Sequence, residues 1–345
     1  MRDRDSQADL IRVVSCFFFI AVHTRGVVTE PYPTVEYWLK PLIIVCNPLF
    51  FMLSGKFALR PFQDNKEGYR RYYLKKLEKV IIPYFALCIL IYWWNKEFQS
   101  FSATEFISLF LKDSVSYQLW FMGPMIGLLL SAPFLSILIN NLSEYGRKVM
   151  IGIALAWSLI SINILFNIFH LEWGYSHWII VTWLIYFVLG YCLENVDVRK
   201  KLGLVLVCGV LCYVLTALQK QFLPAERVRG LEDHSVVFIL FSISVYLILY
   251  RIVLVRSGIG KRILAFLSKR VYYIFLIHVN IIRELDEAGF PILSSLWISY
   301  LAKILTVFVL SLIASLIIEI TFKGLKIFYR QIKKLILRRK RSIIY

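Results

Sequence analysis

Long apolar blocks separated by short charged connections constrain this chain more than any other feature. A helix needs roughly 20 mostly apolar residues to cross a bilayer. Stretches that read as spans lie at 10–28, 41–59, 79–94, 118–139, 148–169, 177–194, 202–219, 235–254, 270–283 and 294–320. The expectation is an all-α integral membrane protein with about ten transmembrane helices. With 59% hydrophobic residues, against about half in a soluble domain, the chain of 345 residues leaves no room for a separate soluble domain. A transmembrane domain is placed at 1–322 and a basic tail at 323–345. The segment 103–112 (ATEFISLFLK) is short and amphipathic, which suits the membrane interface.

The net charge of +18 is explained by orientation, because the positive residues cluster between apolar blocks. One such connection carries Arg60, Lys66, Arg70, Arg71, Lys75, Lys76 and Lys79, and another carries Arg256, Lys261, Arg262, Lys269 and Arg270. The tail adds Lys323, Lys326, Arg330, Lys333, Lys334, Arg338, Arg339, Lys340 and Arg341. Alternate connections hold mainly Glu30 and Glu36, Glu172, or Glu284, Asp286 and Glu287. Positive connections face the cytoplasm, so both termini are expected there. The stretch 220–234, with Lys220, Arg227 and Arg229, fits this map least well. The lipid bilayer is the implied partner. No reader motif points to nucleic acid. Cys16, Cys46, Cys88, Cys192, Cys208 and Cys212 all sit in apolar blocks without a CxxC pair, as small core hydrophobes do. No cleavable signal peptide is visible.

Ionisable residues within spans are costly and therefore informative. The first span, ADLIRVVSCFFFIAVH, holds Asp9, Arg12 and His23. Asp9 and Arg12 are i,i+3 neighbours and can pair. Eleven residues are close to three turns, so Arg12 and His23 share a face roughly 16 Å apart along the axis. Two readings stay open on periodicity alone: a packing helix with an anchoring ion pair and an interfacial histidine, or a polar cavity running through the bilayer. Elsewhere, NPLFFMLSGK (Asn47 to Lys56) allows a bend or close helix approach. Pro83 opens the third span, and Trp120 suits an interface. His170 and His177 flank Glu172 and Trp173, but Gly174 intervenes and a metal site there is disfavoured. His234 reads as a solvated loop residue. His278 and Arg283 lie in a short, polar block that suits contact with protein or water rather than lipid.

Several of these features resemble the membrane acyltransferase-3 family, bacterial enzymes that O-acylate surface sugars and related acceptors. Arg12 and His23 match its Arg-X10-His motif. Leu49 to Gly55 (LFFMLSG) is similar to its second-span FFxxSG signature, and Tyr72 to Pro83 (YYLKKLEKVIIP) to its basic run before a proline. Leu119-Trp120-Phe121, Phe187 to Tyr191 (FVLGY) and Ser268 to His278 (SKRVYYIFLIH) match three later blocks in the family's order. The resemblance covers residues 8–320. One departure stands out. The family's basic run has Arg-X-X-Arg where this chain has Lys76 and Lys79, which keeps the charge and loses the bidentate fork.

The resemblance implies a cytoplasmic acyl-CoA donor, acetyl-CoA by family habit, and a glycan hydroxyl as acceptor on the outer side of a bacterial cytoplasmic (inner) membrane. Arg70, Arg71, Lys75, Lys76 and Lys79 would meet the donor's phosphates. His23 would take the acceptor's proton, directly or within an acyl-histidine relay. Arg12 and Asp9 would hold donor or helix geometry. No GxSxG motif competes and no metal is required. The reading needs Arg12 and His23 to face one wet passage between the two sides of the bilayer. The rival class is a transporter or flippase of lipid-linked sugars, and a sensor without chemistry is a third.

Overall fold

A computed structural model describes residues 4–166, 168–169, 171, 183–196, 198–223, 234–252 and 258–342, and these contain helices and turns without a strand. Helix α1 (Ser6–Thr24) is opened by Asp5, whose carboxylate accepts from the Ala8 N–H at 2.9 Å. A single turn, α2 (Gly26–Thr29), leads to α3 (Pro33–Ile44) and α4 (Cys46–Ala58). The break at Val45 has a local cause, because Pro48 lacks the N–H that would bond the Ile44 carbonyl.

Helix α5 (Lys66–Lys76) is polar and capped by Asn65, which accepts from Gly68 N–H at 2.8 Å. It runs through a π-helical turn, Leu77–Ile81, into α6 (Ile82–Asn95). Next come α7 (Ala103–Leu111), a 3₁₀ turn at Tyr117–Phe121, α8 (Met122–Asn141) and α9 (Glu144–Ser158). The rest comprises α10 (Trp183–Cys192), α11 (Leu202–Phe222), α12 (Val236–Leu247), α13 (Gly258–Ser268), α14 (Val271–Glu287) and α15 (Leu296–Ser342).

Among the described residues, seven helical segments are long and apolar enough to cross a membrane, and α13 with α14, bent by 60°, makes an eighth. Two further apolar helices, Trp183–Cys192 and Val236–Arg251, are shorter than a crossing. Eight of the ten spans read from the sequence fall on the crossing-length segments, whereas 177–194 and 235–254 fall on the two shorter helices, with 177–182 and 253–254 outside the described residues. The stretch 270–283 is one limb of the bent pair rather than a straight crossing. Helix α15 runs without interruption through 322–323, so no break in secondary structure separates the basic tail from the span before it. His170, Glu172, Trp173, His177, Arg227, Arg229 and Arg256 lie outside the described residues.

The segment expected at the interface is α7, folded back on α6. Its Phe106 is buried against Phe85 and Tyr92. Glu105 pairs with Lys96 and accepts from the Tyr92 hydroxyl, each at 2.8 Å. Lys96 first, and Tyr92 second, hold the Glu105 carboxyl below its ordinary range.

Helix α1 sits at the centre, packed by α3, α4, α13, α14 and α15. The tightest pair is α4 with α10. A Cβ at Gly55 would come 1.7 Å from the Phe187 carbonyl oxygen, and one at Gly190 would come 1.7 Å from that of Met52. Lipid tails are as apolar as leucine, so helices in a bilayer gain from close van der Waals contact, and small residues permit it. The FFxxSG and GY blocks are therefore a paired backbone contact. Lys56, buried beside that contact, bonds Glu194 at 2.8 Å and lies 3.6 Å from Asp5, tying the start of α1 to the end of α10.

Candidate active site

Asp9 is 1% exposed and accepts from three side chains. Arg12 Nη1 donates at 2.9 Å, the Ser268 hydroxyl at 2.6 Å, and Arg4 through both Nε and Nη2. A buried carboxylate needs this degree of pairing to stay charged at low cost. Ser268 reaches Asp9 because α13 ends there and the chain turns into α14. The i,i+3 pair expected on α1 is thus present, and it is one part of a four-residue cluster.

Arg12 faces a cavity of about 340 Å³, with its guanidinium 5.3 Å from the centre of the Phe57 ring. Lys76 lines the same cavity, with Ser54, Ser268 and Tyr272 as further polar groups. Phe50, Phe57, Phe121, Met122, Met125 and Phe275 form its apolar walls. Lys76, the last residue of α5, and Val80, within the π turn that follows, lie on this wall, and the Tyr272 hydroxyl donates to the Val80 carbonyl at 2.8 Å. A π turn displaces carbonyls from the regular ladder, and Tyr272 supplies a donor for one of them. Arg70, Arg71, Lys75 and Lys79 are exposed and do not line the cavity. Of the five loop cations read from sequence, only Lys76 joins Arg12.

His23 faces a second cavity, of about 470 Å³, lined also by Asn95, Ser116, Tyr117, Asn280, Arg283, Asp286 and Glu287. Its Nδ1 is 3.2 Å from the Tyr117 hydroxyl. Asn95 Oδ1 accepts from Asn280 Nδ2 at 2.8 Å and from Arg283 Nη1 at 2.7 Å, which fixes one wall. The His278 ring, fully buried, lies 5.2 Å from the His23 ring, centre to centre.

The two cavities share no lining residue, so the single wet passage expected from the sequence is divided here. Aromatic rings fill the space between. Phe19 lies 5.8 Å from Phe50, 5.3 Å from Phe275 and 4.8 Å from His278, while Phe275 lies 5.3 Å from Phe121. The division is thin. Phe275, on the wall of the Arg12 cavity, is 6.0 Å from His278. The sequence carries part of the cause: Phe19 of the FFF run and Phe50 of the FF pair turn towards the space between Arg12 and His23, while Phe17 stacks on Phe308 and Phe51 on Trp183.

Both side chains therefore face protein cavities rather than lipid. One cavity offers two cations and an apolar wall, which suits a phosphate-bearing ligand with a thin apolar arm. The other offers an imidazole among amides and carboxylates, which suits a hydroxyl-rich ligand and proton transfer. Spacing did not single out Ser268, Tyr272, Tyr117, Asn95 or Asn280. The first two lie in the SKRVYYIFLIH block, whereas nothing in the sequence marks Tyr117, Asn95 or Asn280. Among the described residues, no group of three or more His, Cys, Asp or Glu side chains comes together as a metal site.

Comparison with curated proteins and with solved structures finds no match. The acyltransferase-3 family model, described as an acyltransferase domain, matches residues 5–320. That range runs from the cap of α1 to the end of the apolar part of α15, and so takes in both cavities and the rings between them. On that match the chain belongs to the acyltransferase-3 family and is an all-α membrane acyltransferase.

Proposed function

We propose that this acyltransferase moves an acetyl group from cytoplasmic acetyl-CoA to a hydroxyl of a cell-surface polysaccharide or lipid-linked glycan, with His23 as general base. The observation that supports the reading is a pair of cavities on either side of a layer of rings. Arg12 and Lys76 line one and His23 the other, and Phe275, on the wall of the first, lies 6.0 Å from His278. In this reading both termini lie in the cytoplasm of a bacterial cell, and the Arg12 cavity opens to that side of the inner membrane. Arg12 and Lys76 meet the donor's phosphates, and the apolar walls take the pantetheine arm.

The chemistry follows from the imidazole. For Nε2 of His23 to act as base, Nδ1 must carry the ring proton and donate to the Tyr117 oxygen, so Tyr117 orients the base. The acceptor hydroxyl attacks the thioester carbonyl. Its proton passes to His23 Nε2 as the C–O bond forms and the C–S bond breaks. The thiolate of CoA leaves and takes that proton. Asp9 holds Arg12 in place and does no bond chemistry. Transfer requires the Phe19–Phe275 layer to part, which brings the thioester to His23 and keeps the donor from bulk water on the far side until then.

The test uses purified protein, acetyl-CoA labelled in the acetyl group, and an added glycan. The expected result is CoA release that depends on the glycan, with label transferred to it. A lipid-linked-sugar transporter would release none, and that outcome would sink the enzyme reading.

A further inference from the structure

The wall of the His23 cavity holds a buried acceptor that the chemistry above does not use. Asn280, on α14, is 2% exposed and lines that cavity. Its amide orientation is set by a chain of bonds. Asn95 Nδ2 donates to the Val115 carbonyl at 3.1 Å, so Asn95 Oδ1 points the other way. That oxygen accepts from Arg283 Nη1 at 2.7 Å and from Asn280 Nδ2 at 2.8 Å, which occupies both of its lone pairs. A carbonyl oxygen only accepts, so the Asn280 atom facing it is the nitrogen and Asn280 Oδ1 is turned away. That Oδ1 is buried and has no hydrogen-bond partner. A buried acceptor left unmet is unfavourable, and it calls for a donor from outside the resting network. The cavity that Asn280 lines, about 470 Å³, is of a size that takes a small ligand.

The charges around Asn280 narrow the choice of ligand. Arg283, Asp286 and Glu287 line the cavity. Arg283 is already shared between Asn95, Glu284 at 3.2 Å and Glu287 at 3.6 Å. Nearby, Lys303 bonds Asp286, and Arg25 bonds Glu36 at 2.8 Å. Among the described residues, the lining thus sets two carboxylates against one cation, and that cation is paired. A carboxylate entering here would give up water for no free counter-charge and would meet Asp286 and Glu287. An uncharged sugar gives up less, and its hydroxyls supply donors to a wall rich in acceptors. We propose that the His23 cavity takes an uncharged sugar unit of the acceptor glycan and that Asn280 is its second anchor. His23 receives the hydroxyl that is acylated, and Asn280 Oδ1 accepts from another hydroxyl of the same unit.

This inference rests on the acyl-transfer reading, and the experiment separates the two. The probes are methyl glycosides of glucose, galactose and mannose, their monodeoxy forms, and the matching uronic acids. Each is titrated into the full chain in detergent, and binding is read from the rise in the midpoint of thermal unfolding. The uronic acid at equal concentration corrects for the general stabilisation that sugars give by exclusion. The expected result is that at least one neutral glycoside binds about tenfold or more tightly than its uronic acid. One monodeoxy form of that sugar should bind about three- to tenfold more weakly than its parent in the wild type, and equally in Asn280→Leu. Asn280→Ala completes the same cycle, so the comparison does not hang on one variant folding. A uronic acid that binds as well as its neutral parent overturns the proposal, as does a panel in which no neutral glycoside binds. Deoxy penalties that persist unchanged in the Asn280 variants overturn the role of Asn280, and leave its Oδ1 to an ordered water. CoA release with the same sugars judges the chemistry separately. The expected binding pattern without any release would count against acyl transfer alone, whereas release that prefers uronic acids would overturn this proposal and leave acyl transfer standing.

Discussion

Charge placement at single residues decides what each cavity can hold. Arg12 and Lys76 differ in kind: a guanidinium presents a planar fork, whereas an ammonium is a compact point charge. Arg12→Ala removes a charge-assisted contact of about 1.5–3 kcal/mol. The expected outcome is a rise in the KM for acetyl-CoA of roughly tenfold or more, read in the CoA-release assay. Lys76→Arg restores the guanidinium of the family's motif and should leave that KM equal or lower, whereas Arg71→Ala should leave it unchanged because Arg71 is exposed and off the cavity. His23→Ala should lower kcat by about 10²–10⁴-fold, with membrane insertion intact by fractionation. Normal acylation in that variant would remove His23 from the chemistry. Arg12 and His23 were legible in the sequence because helix geometry fixes their shared face. The selection of Lys76 from five cations was not, because it depends on which face of α5 packs towards α8 and the cavity, and nothing in the basic run marks that face. The rings dividing the cavities were visible as letters, but their meeting depends on α1, α4, the 3₁₀ turn at Tyr117–Phe121 and α14 arriving at one level.

Among the helices, the sequence spoke most clearly where a motif was also a contact. Gly55 and Gly190 were read separately, in two blocks 135 positions apart, and the structure makes them one interface. Backbone carbonyls face both glycines, so an added methyl has no flexible side chain to displace. Overpacking of this kind costs about 1–3 kcal/mol or more. Gly190→Ala and Gly55→Ala should each lower the midpoint of thermal unfolding in detergent, and the double variant should fall by less than the sum, because one helix separation relieves both clashes. Equal midpoints for wild type and Gly190→Ala would show that α4 and α10 do not approach this closely. The bend between α13 and α14 was hidden at the sequence level, since the apolar count of 270–283 says nothing of direction. Its purpose is visible only with α1 beside it: the bend sets Ser268 on Asp9 and leaves Tyr272, Phe275 and His278 along one line past Arg12 and towards His23.

At the scale of the whole molecule, the proposal depends on which cavity opens to which side. The positive-inside rule assigns the α4–α5 connection to the cytoplasm and the α6–α7 connection to the outside. Those connections flank the two cavities: α5 leads to Lys76, while α6 ends at Asn95. Labelling of introduced cysteines measures this directly. Glu67 and Ser100 are both exposed, one in each region. The six native cysteines are free, four buried and two half-buried, so they are replaced by alanine or serine for a quiet background. Glu67→Cys should react with a membrane-impermeant maleimide only after permeabilisation, and Ser100→Cys should react in intact cells. With that pattern, Arg12 and Lys76 face the compartment that holds acyl-CoA, and His23 faces the one where surface glycans are built. The opposite pattern would place the cations on the side without the donor, and transfer outward across the bilayer would then have no route through these two cavities.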